Sequence, residues 1–291
     1  MLFQKPAQRI ADAWNSLAPL MFPPACCLCS EPTPMRTTAE GSNDTLTVFC
    51  RACETSLVQT GPLLENACMR CGWPRGLTTG GANSGGANSG GQTSGGELLP
   101  CPRCARRKIP PTFSRITPLY RYQDTVTAAV VAAKYPRNSA ISRELARRLA
   151  ARCRIRWPEL SDCPLSSMPI VTSVPSPWLR QARRGGSGTR LLGQRFAAEL
   201  SVPYQTLLRT TRNIAKQAWL DDDSRRQNVS DAFAFRRSLD GPPLLLGREV
   251  ILVDDVMTTG ATADEITRVL LDAGAVRVSV AVVALAMREK P

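Results

Sequence analysis

The chain has 291 residues, 43% of them apolar, enough for a sizeable core in one large domain or two smaller ones. It holds 37 Lys and Arg against 24 Asp and Glu, a net charge of +13, and contains no histidine. That excludes a Ser/His/Asp triad, a Cys/His pair and histidine metal ligands, and the cationic surplus favours phosphate-bearing partners. No apolar run reaches the length of a transmembrane segment, and Lys5, Gln8, Arg9 and Asp12 interrupt any signal-peptide core, so a cytoplasmic protein is expected.

In chain order, residues 3–22 come first. Phe3, Ile10, Trp14, Leu17 and Met21 fall mostly three or four apart and predict an amphipathic helix. Four Cys-x-x-Cys turns follow: Cys26/Cys29, Cys50/Cys53, Cys68/Cys71 and Cys101/Cys104. Each turn lets two thiolates converge on one ion, and two turns complete a tetrahedral all-thiolate site, so two structural zinc ions are expected. The simplest pairing joins the first turn with the second and the third with the fourth; an interleaved pairing is the alternative. Disulfides are disfavoured in a cytoplasmic chain, and a thioredoxin-like motif lacks its βαβ setting. Cys27, Cys153 and Cys163 fall outside the pattern and read as buried or free thiols.

Residues 80–96, GGANSGGANSGGQTSGG, are a five-residue repeat too rich in glycine to bury a core. They predict a flexible loop hanging from the second cysteine group. They are not a phosphate loop, since no Gly-Lys-Ser/Thr follows.

The pattern changes after Pro110 and Pro111. Helices are expected over 125–134, 141–153, 189–200 and 263–273, and strands over 169–174, 249–253 and 276–285. Alternating strands and helices predict an α/β fold, a parallel sheet flanked by helices, over 111–291, preceded by a small four-cysteine zinc-binding segment over 1–110. Two arginine-rich groups lie in this half. Lys134, Arg137, Arg143, Arg147, Arg148, Arg152, Arg154 and Arg156 face one acid, Glu144, and Arg180, Arg183, Arg184, Arg190 and Arg195 face none. They read either as phosphate attractors or as a solvated helix face.

The stretch VILVDDVMTTGAT, 250–262, is the most informative. An apolar strand runs into Asp254 and Asp255, and Thr258, Thr259, Gly260, Ala261 and Thr262 open a helix. In parallel sheets ligands bind beyond the carboxyl ends of strands. Free amides at a helix start, a glycine and threonine hydroxyls suit a phosphate. Carboxylates would repel that phosphate but suit hydroxyls or a magnesium ion further along the same ligand. A ribose 5-phosphate has that layout.

On these residues the chain resembles the type I phosphoribosyltransferase superfamily, whose members bind 5-phosphoribosyl 1-pyrophosphate (PRPP). More narrowly it resembles the ComF family, a double zinc ribbon followed by such a domain, through LMFPPACCLC, LYRYQDTVTAAVVAAKY, VPSP, DAFAF and the spaced Gln217, Leu220, Arg225, Asn228 and Val229. Where the family has Arg-Gly-Phe-Asn-Gln, this chain has RRGGSGTRLLGQ, 183–194. The resemblance implies a phosphoribosyltransferase acting on PRPP, in DNA uptake during competence or in nucleotide metabolism. It puts Asp254 and Asp255 at the ribose hydroxyls, Thr258 to Thr262 at the 5-phosphate, and Lys134 and Tyr135 at the pyrophosphate with Mg²⁺. Asp254, Asp255 and Lys134 are then the catalytic candidates. The alternative is a non-catalytic competence protein that keeps the fold and handles single-stranded DNA with competence-machinery partners. The low aromatic content, 5%, is thin for base stacking.

Overall fold

The computed structural model describes residues 24–33, 48–59, 61, 64–76, 99–107, 109–160, 163–164, 167–176, 181, 185–212, 229–236 and 245–287. The helix expected over 3–22, the glycine-rich insertion 80–96, Arg180, Arg183, Arg184, Gln217, Leu220, Arg225 and Asn228 lie outside the described residues.

The helices are α1 (Arg51–Val58), α2 (Pro102–Ala105), α3 (Asp124–Ala133), α4 (Ser139–Arg156), α5 (Gly188–Leu200) and α6 (Ala261–Asp272). The strands are β1 (Arg115–Arg121), β2 (Ile170–Ser173), β3 (Leu208–Thr210), β4 (Phe233–Phe235), β5 (Glu249–Met257) and β6 (Arg277–Leu285). β1, β6, β5 and β2 form a four-stranded parallel sheet in that order, and β3 pairs antiparallel with β4. The fold is therefore α/β, with apolar residues on both faces of the sheet. Ile251 and Val253 of β5 pack with Val130, Leu145, Leu149, Leu192 and Phe196 of α3, α4 and α5. Val250 and Leu252 pack with Ile266 and Leu270 of α6 and with Leu208 of β3 and Phe233 of β4. That alternation is the two-residue period of a strand buried on both sides.

α1 and α2 are not among the expected helices, and beyond residue 110 three features depart from the expected elements. β1 is not among the expected strands, and it carries Pro118 in the middle of RITPLYR. β1 is an edge strand, where a residue without an N–H is tolerated. The three-residue strands β3 and β4 are too short to show a period. β5 runs on to Met257 and so includes Asp254 and Asp255, whereas the sequence ended it at 253.

The cysteine-bearing segment is packed onto the α3–α4 side. Cys26, Phe49, Cys50 and Leu57 belong to the same apolar cluster as Leu145 and Trp157. The arginines of α4 hold it there. Arg148 donates to Glu54 Oε2 at 2.7 Å, Glu144 Oε1 at 2.6 Å and the Tyr120 hydroxyl at 3.1 Å, and lies over the Phe49 ring. Arg152 donates to the Gly61 carbonyl at 3.0 Å, and Arg156 to those of Glu65 at 2.8 Å and Ala67 at 2.6 Å. A guanidinium presents five donors in a fixed fork, so each arginine can satisfy several acceptors of a segment with little core of its own. This part of the basic cluster is neither a free phosphate attractor nor a solvated face.

α5 starts where Ser187 Oγ accepts from the Arg190 N–H, and its first residue crosses the end of α3 at close range. A Cβ at Gly188 would stand 2.5 Å from the Ala133 carbonyl oxygen and 2.6 Å from Lys134 Cα. Both are backbone atoms, so nothing can swing aside. Gly188→Ala is expected to lower stability by about 1–3 kcal/mol through overpacking, measured as a shift in the urea midpoint at unchanged m-value.

Candidate functional site

Two groups of side chains stand out. The first comprises two cysteine clusters. The sulfurs of Cys26, Cys29, Cys50 and Cys53 lie within 4.8 Å of one another, and so do those of Cys68, Cys71, Cys101 and Cys104. This settles the pairing as first turn with second and third with fourth. Sulfur separations are 3.5 Å for Cys29–Cys50, 3.4 Å for Cys71–Cys101 and 3.8 Å for Cys68–Cys104. A tetrahedron of ~2.3 Å metal–thiolate bonds has sulfur–sulfur edges of about 3.8 Å, so both clusters have the dimensions of a four-thiolate site. Backbone N–H groups point at the sulfurs: Leu28 at Cys26, Cys53 at Cys50 and Arg70 at Cys68, at 3.5, 3.5 and 3.4 Å. Burial by itself would raise the Cys26 thiol, but backbone hydrogen bonds around Cys29, Cys50 and Leu28 bring it down to about 6. All these cysteines are free of disulfides. Each four-cysteine cluster could hold a metal ion.

The second group is the crevice at the carboxyl end of β5. On one side β5 pairs with β2 only as far as Val253 opposite Ser173; on the other it stays paired with β6 through Met257. Asp254 and Asp255 therefore lie past the end of β2, half-buried but open on that side. Thr258 and Thr259 follow as a bend. Gly260 caps α6 with φ 91°, a left-handed value that glycine adopts without strain. The Asp264 N–H makes the first helical bond, to the Gly260 carbonyl, at 2.8 Å. The amides of Ala261, Thr262 and Ala263 precede it and have no acceptor within the helix; the Ala261 N–H donates instead to Thr259 Oγ1 at 3.4 Å.

Lys134 caps α3, and its Nζ stands 3.1 Å from Asp255 Oδ2. Lys134, Asp255, Gly188, Leu192, Val130 and Val283 line one small recess. Burial first, then the neighbouring charge of Asp255, pushes the Asp254 carboxyl well above the usual carboxylate range, only partly offset by the Asp255 N–H and by Lys134. That N–H reaches Asp254 Oδ1 at 2.8 Å. Tyr135 follows Lys134 in the chain, but its ring faces Arg137, whose guanidinium carbon is 5.1 Å from the ring centroid.

The structure thus brings Lys134 to Asp255, with the 258–262 loop beginning three residues further on, and turns the Tyr135 ring to Arg137. It also adds residues that sequence reasoning missed. The start of α5 abuts Lys134 through Gly188, one residue ahead of the helix expected over 189–200 and inside the stretch that departs from the family pattern. Arg103 and Arg107, on the second cysteine segment, donate to the carbonyls of Thr258 at 3.4 Å and Thr259 at 3.2 Å. No local signal reveals such a contact across about 150 residues of chain.

A pH effect follows from Asp254. Its folded pKa lies above the unfolded value, so the folded state binds the extra proton; stability is greatest below the unfolded pKa and falls as pH rises through the folded one. Asp254→Asn keeps an acceptor for the Asp255 N–H without the charge. It is expected to raise the melting temperature at neutral pH, with the gain shrinking towards pH 4, as thermal melts across a pH series would show.

Comparison with known proteins bears on both groups. Residues 187–291 match the family model described as a phosphoribosyl transferase domain. The DNA utilization protein YhgH of Escherichia coli O157:H7 is 31% identical over 187 residues, 62% of this chain and 76% of that protein. Competence protein F of Haemophilus influenzae is 30% identical over 183 residues, again 62% and 76%. Among solved structures, the glutamine PRPP amidotransferase of B. subtilis is similar at 20% identity, covering 50% of this chain and 26% of that one, with a TM-score of 0.31. The hypoxanthine phosphoribosyl transferase of Trypanosoma cruzi is similar at 12% identity, covering 48% and 63%, with a TM-score of 0.30. Sequence identity over three quarters of these curated relatives, with paired four-cysteine clusters ahead of a phosphoribosyltransferase-type domain, shows that the chain belongs to the ComF family.

Proposed function

We propose that the chain binds PRPP, with Mg²⁺, in the crevice at the carboxyl end of β5 and transfers its phosphoribosyl group to an acceptor. The observation that carries this reading is the ion pair of Lys134 with Asp255 at 3.1 Å, three residues ahead of the loop that opens α6. On this reading the cation meets the pyrophosphate, the acids the ribose and the helix-start amides the 5-phosphate, with the Ala261 N–H exchanging Thr259 Oγ1 for the ligand. The amides and hydroxyls of Thr258 to Thr262 take the 5-phosphate, helped by the positive end of the α6 dipole. Asp254 and Asp255 accept from the ribose hydroxyls. Lys134 leaves Asp255 for the pyrophosphate as ligand enters, and Tyr135 lies beside it. Cleavage at the anomeric carbon places negative charge on the leaving pyrophosphate, which the Lys134 ammonium stabilises. Mg²⁺ arriving with the pyrophosphate supplies further neutralisation of that charge.

The same reading assigns the two four-cysteine clusters to zinc as closed structural sites, since four thiolates leave no open position. It divides the chain near residue 110, with the metal-holding segment before and the ligand-binding domain after, and places the protein in the cytoplasm, where thiolates stay reduced. Among the described residues no helix is long and apolar enough to cross a membrane. A second reading keeps the fold for handling single-stranded DNA without turnover. The relatives' names, DNA utilization protein and Competence protein F, and the net charge of +13 favour it. The engagement of Arg148, Arg152 and Arg156 within the molecule counts against it.

Calorimetry separates the two. The wild-type chain is expected to bind PRPP with Mg²⁺, and Asp254→Asn with Asp255→Asn to weaken that binding by at least about 100-fold, as when two charge-assisted hydrogen bonds are lost. Undiminished binding by the double variant removes the site. Pyrophosphate release in the presence of candidate acceptors then distinguishes transfer from binding. DNA affinity that falls steeply with salt and survives the double substitution supports the second reading. Elemental analysis is expected to return two zinc ions per chain and one after Cys71→Ser; less than one in the wild type overturns the metal assignment.

A further inference from the structure

The carbonyl side of the 258–262 loop is held by the cysteine segment. Arg103 sits between Cys101 and Cys104, in the turn that supplies half of the second four-cysteine cluster, and its Nη2 donates to the Thr258 carbonyl at 3.4 Å. Arg107 donates to the Thr259 carbonyl at 3.2 Å and pairs with Asp264 Oδ2 at 3.6 Å. Asp264 in turn accepts from the Thr112 N–H at 2.7 Å. The guanidinium of Arg103 lies 5.2 Å from the centroid of the Trp73 ring, and the Trp73 carbonyl accepts from the Cys68 N–H at 2.8 Å. The other turn of the cluster is docked on the sheet: the Met69 carbonyl accepts from Ile116 of β1 at 2.7 Å, and Gly72, at φ 75°, rests against Leu285 and Ile116. Both turns are thus anchored, one to β1 and β6 and the other to the loop.

A trans peptide unit points its carbonyl and its N–H in opposite directions. Drawing the Thr258 carbonyl towards Arg103 turns the Thr259 N–H away, and drawing the Thr259 carbonyl towards Arg107 does the same for the Gly260 N–H. Two guanidinium charges behind these peptide units also polarise them, which strengthens their N–H groups as donors to an anion.

We propose that Arg103 and Arg107 are positioning residues that aim the loop's amides into the crevice, and that this grip couples metal in the second four-cysteine cluster to phosphate binding at Thr258–Thr262. The phosphate half rests on the PRPP reading above; the positioning half does not. Removing metal from the Cys101–Cys104 turn frees Arg103 with it, the loop loses its fixed orientation, and the anion meets amides it must first order.

The test uses the full chain and two readouts. Hydrogen exchange without ligand is expected to show the Thr259 and Gly260 amides exchanging on the order of tenfold faster in Arg103→Ala/Arg107→Ala, with β5 and β6 core amides unchanged. Chelation of the wild-type metal is expected to accelerate the same amides, and to add little in the double variant. PRPP affinity, by calorimetry, is expected to fall roughly tenfold to 100-fold in the variant. Unchanged loop exchange in the folded variant overturns the proposal. Acceleration spread evenly through β5 and β6 overturns it too, because it marks general loosening. If the double variant does not fold, Arg107→Lys, which keeps the charge but loses the fork, carries the comparison at Gly260. A wild-type chain that binds no PRPP but shows the loop effect upholds the positioning role and sinks the PRPP reading alone.

Discussion

The pairing of β5 ends sooner on one flank than on the other, opposite Ser173 of β2 on one side and Leu285 of β6 on the other. A strand held by a single neighbour still has a fixed backbone, yet its other edge is open. Asp254 and Asp255 occupy that interval. The constraint explains their electrostatics as well as their access. They are buried enough for Asp254 to resist ionisation and open enough for Lys134 to reach Asp255 from α3. Were β2 as long as β6, the edge of β5 at Asp254 and Asp255 would be paired on both sides.

Lys134 reaches its partner because of a second constraint, the close crossing of α5 over the end of α3. The glycine at 188 removes the side chain that would hold the two apart. The recess beside Asp255 is lined by Val130, Leu145, Leu192 and Val283 besides Gly188, and its polar members, Lys134 and Asp255, are few. Buried unpaired charge is costly, so a site of this kind is stable without ligand only if its charges answer each other, as Lys134 and Asp255 do.

Charge plays an unusual structural part in the rest of the molecule. The segment built around the two four-cysteine clusters shares Phe49 and Leu57 with the apolar core, and charged contacts add to that attachment. Arg148, Arg152 and Arg156 of α4 supply fork-like donors to it, while Arg103 and Arg107 return the contact from the segment to the 258–262 loop. These five members of the cationic surplus that suggests an anionic partner in the sequence are thereby committed to internal acceptors. Lys134 is paired too, but with a crevice acid: it lines the recess beside Asp255, its partner at 3.1 Å.

Several conclusions needed nothing beyond the sequence. The Cys-x-x-Cys spacing is a local property, and it names all eight sulfurs that cluster. The α/β class followed from alternating periodicity, and the 250–262 stretch identified the acids, the glycine and the helix start together, because a strand, a turn and a cap are all short-range features. Which turns share a cluster was not determined, since pairing depends on how the chain returns. Nor was the edge position that admits Pro118 into β1, the register that leaves Asp254 and Asp255 beyond β2, or the internal use of the arginines. Those are decided by contacts between residues far apart in the chain, such as Arg107 with Thr259 and Lys134 with Asp255, whose partners no window of sequence contains.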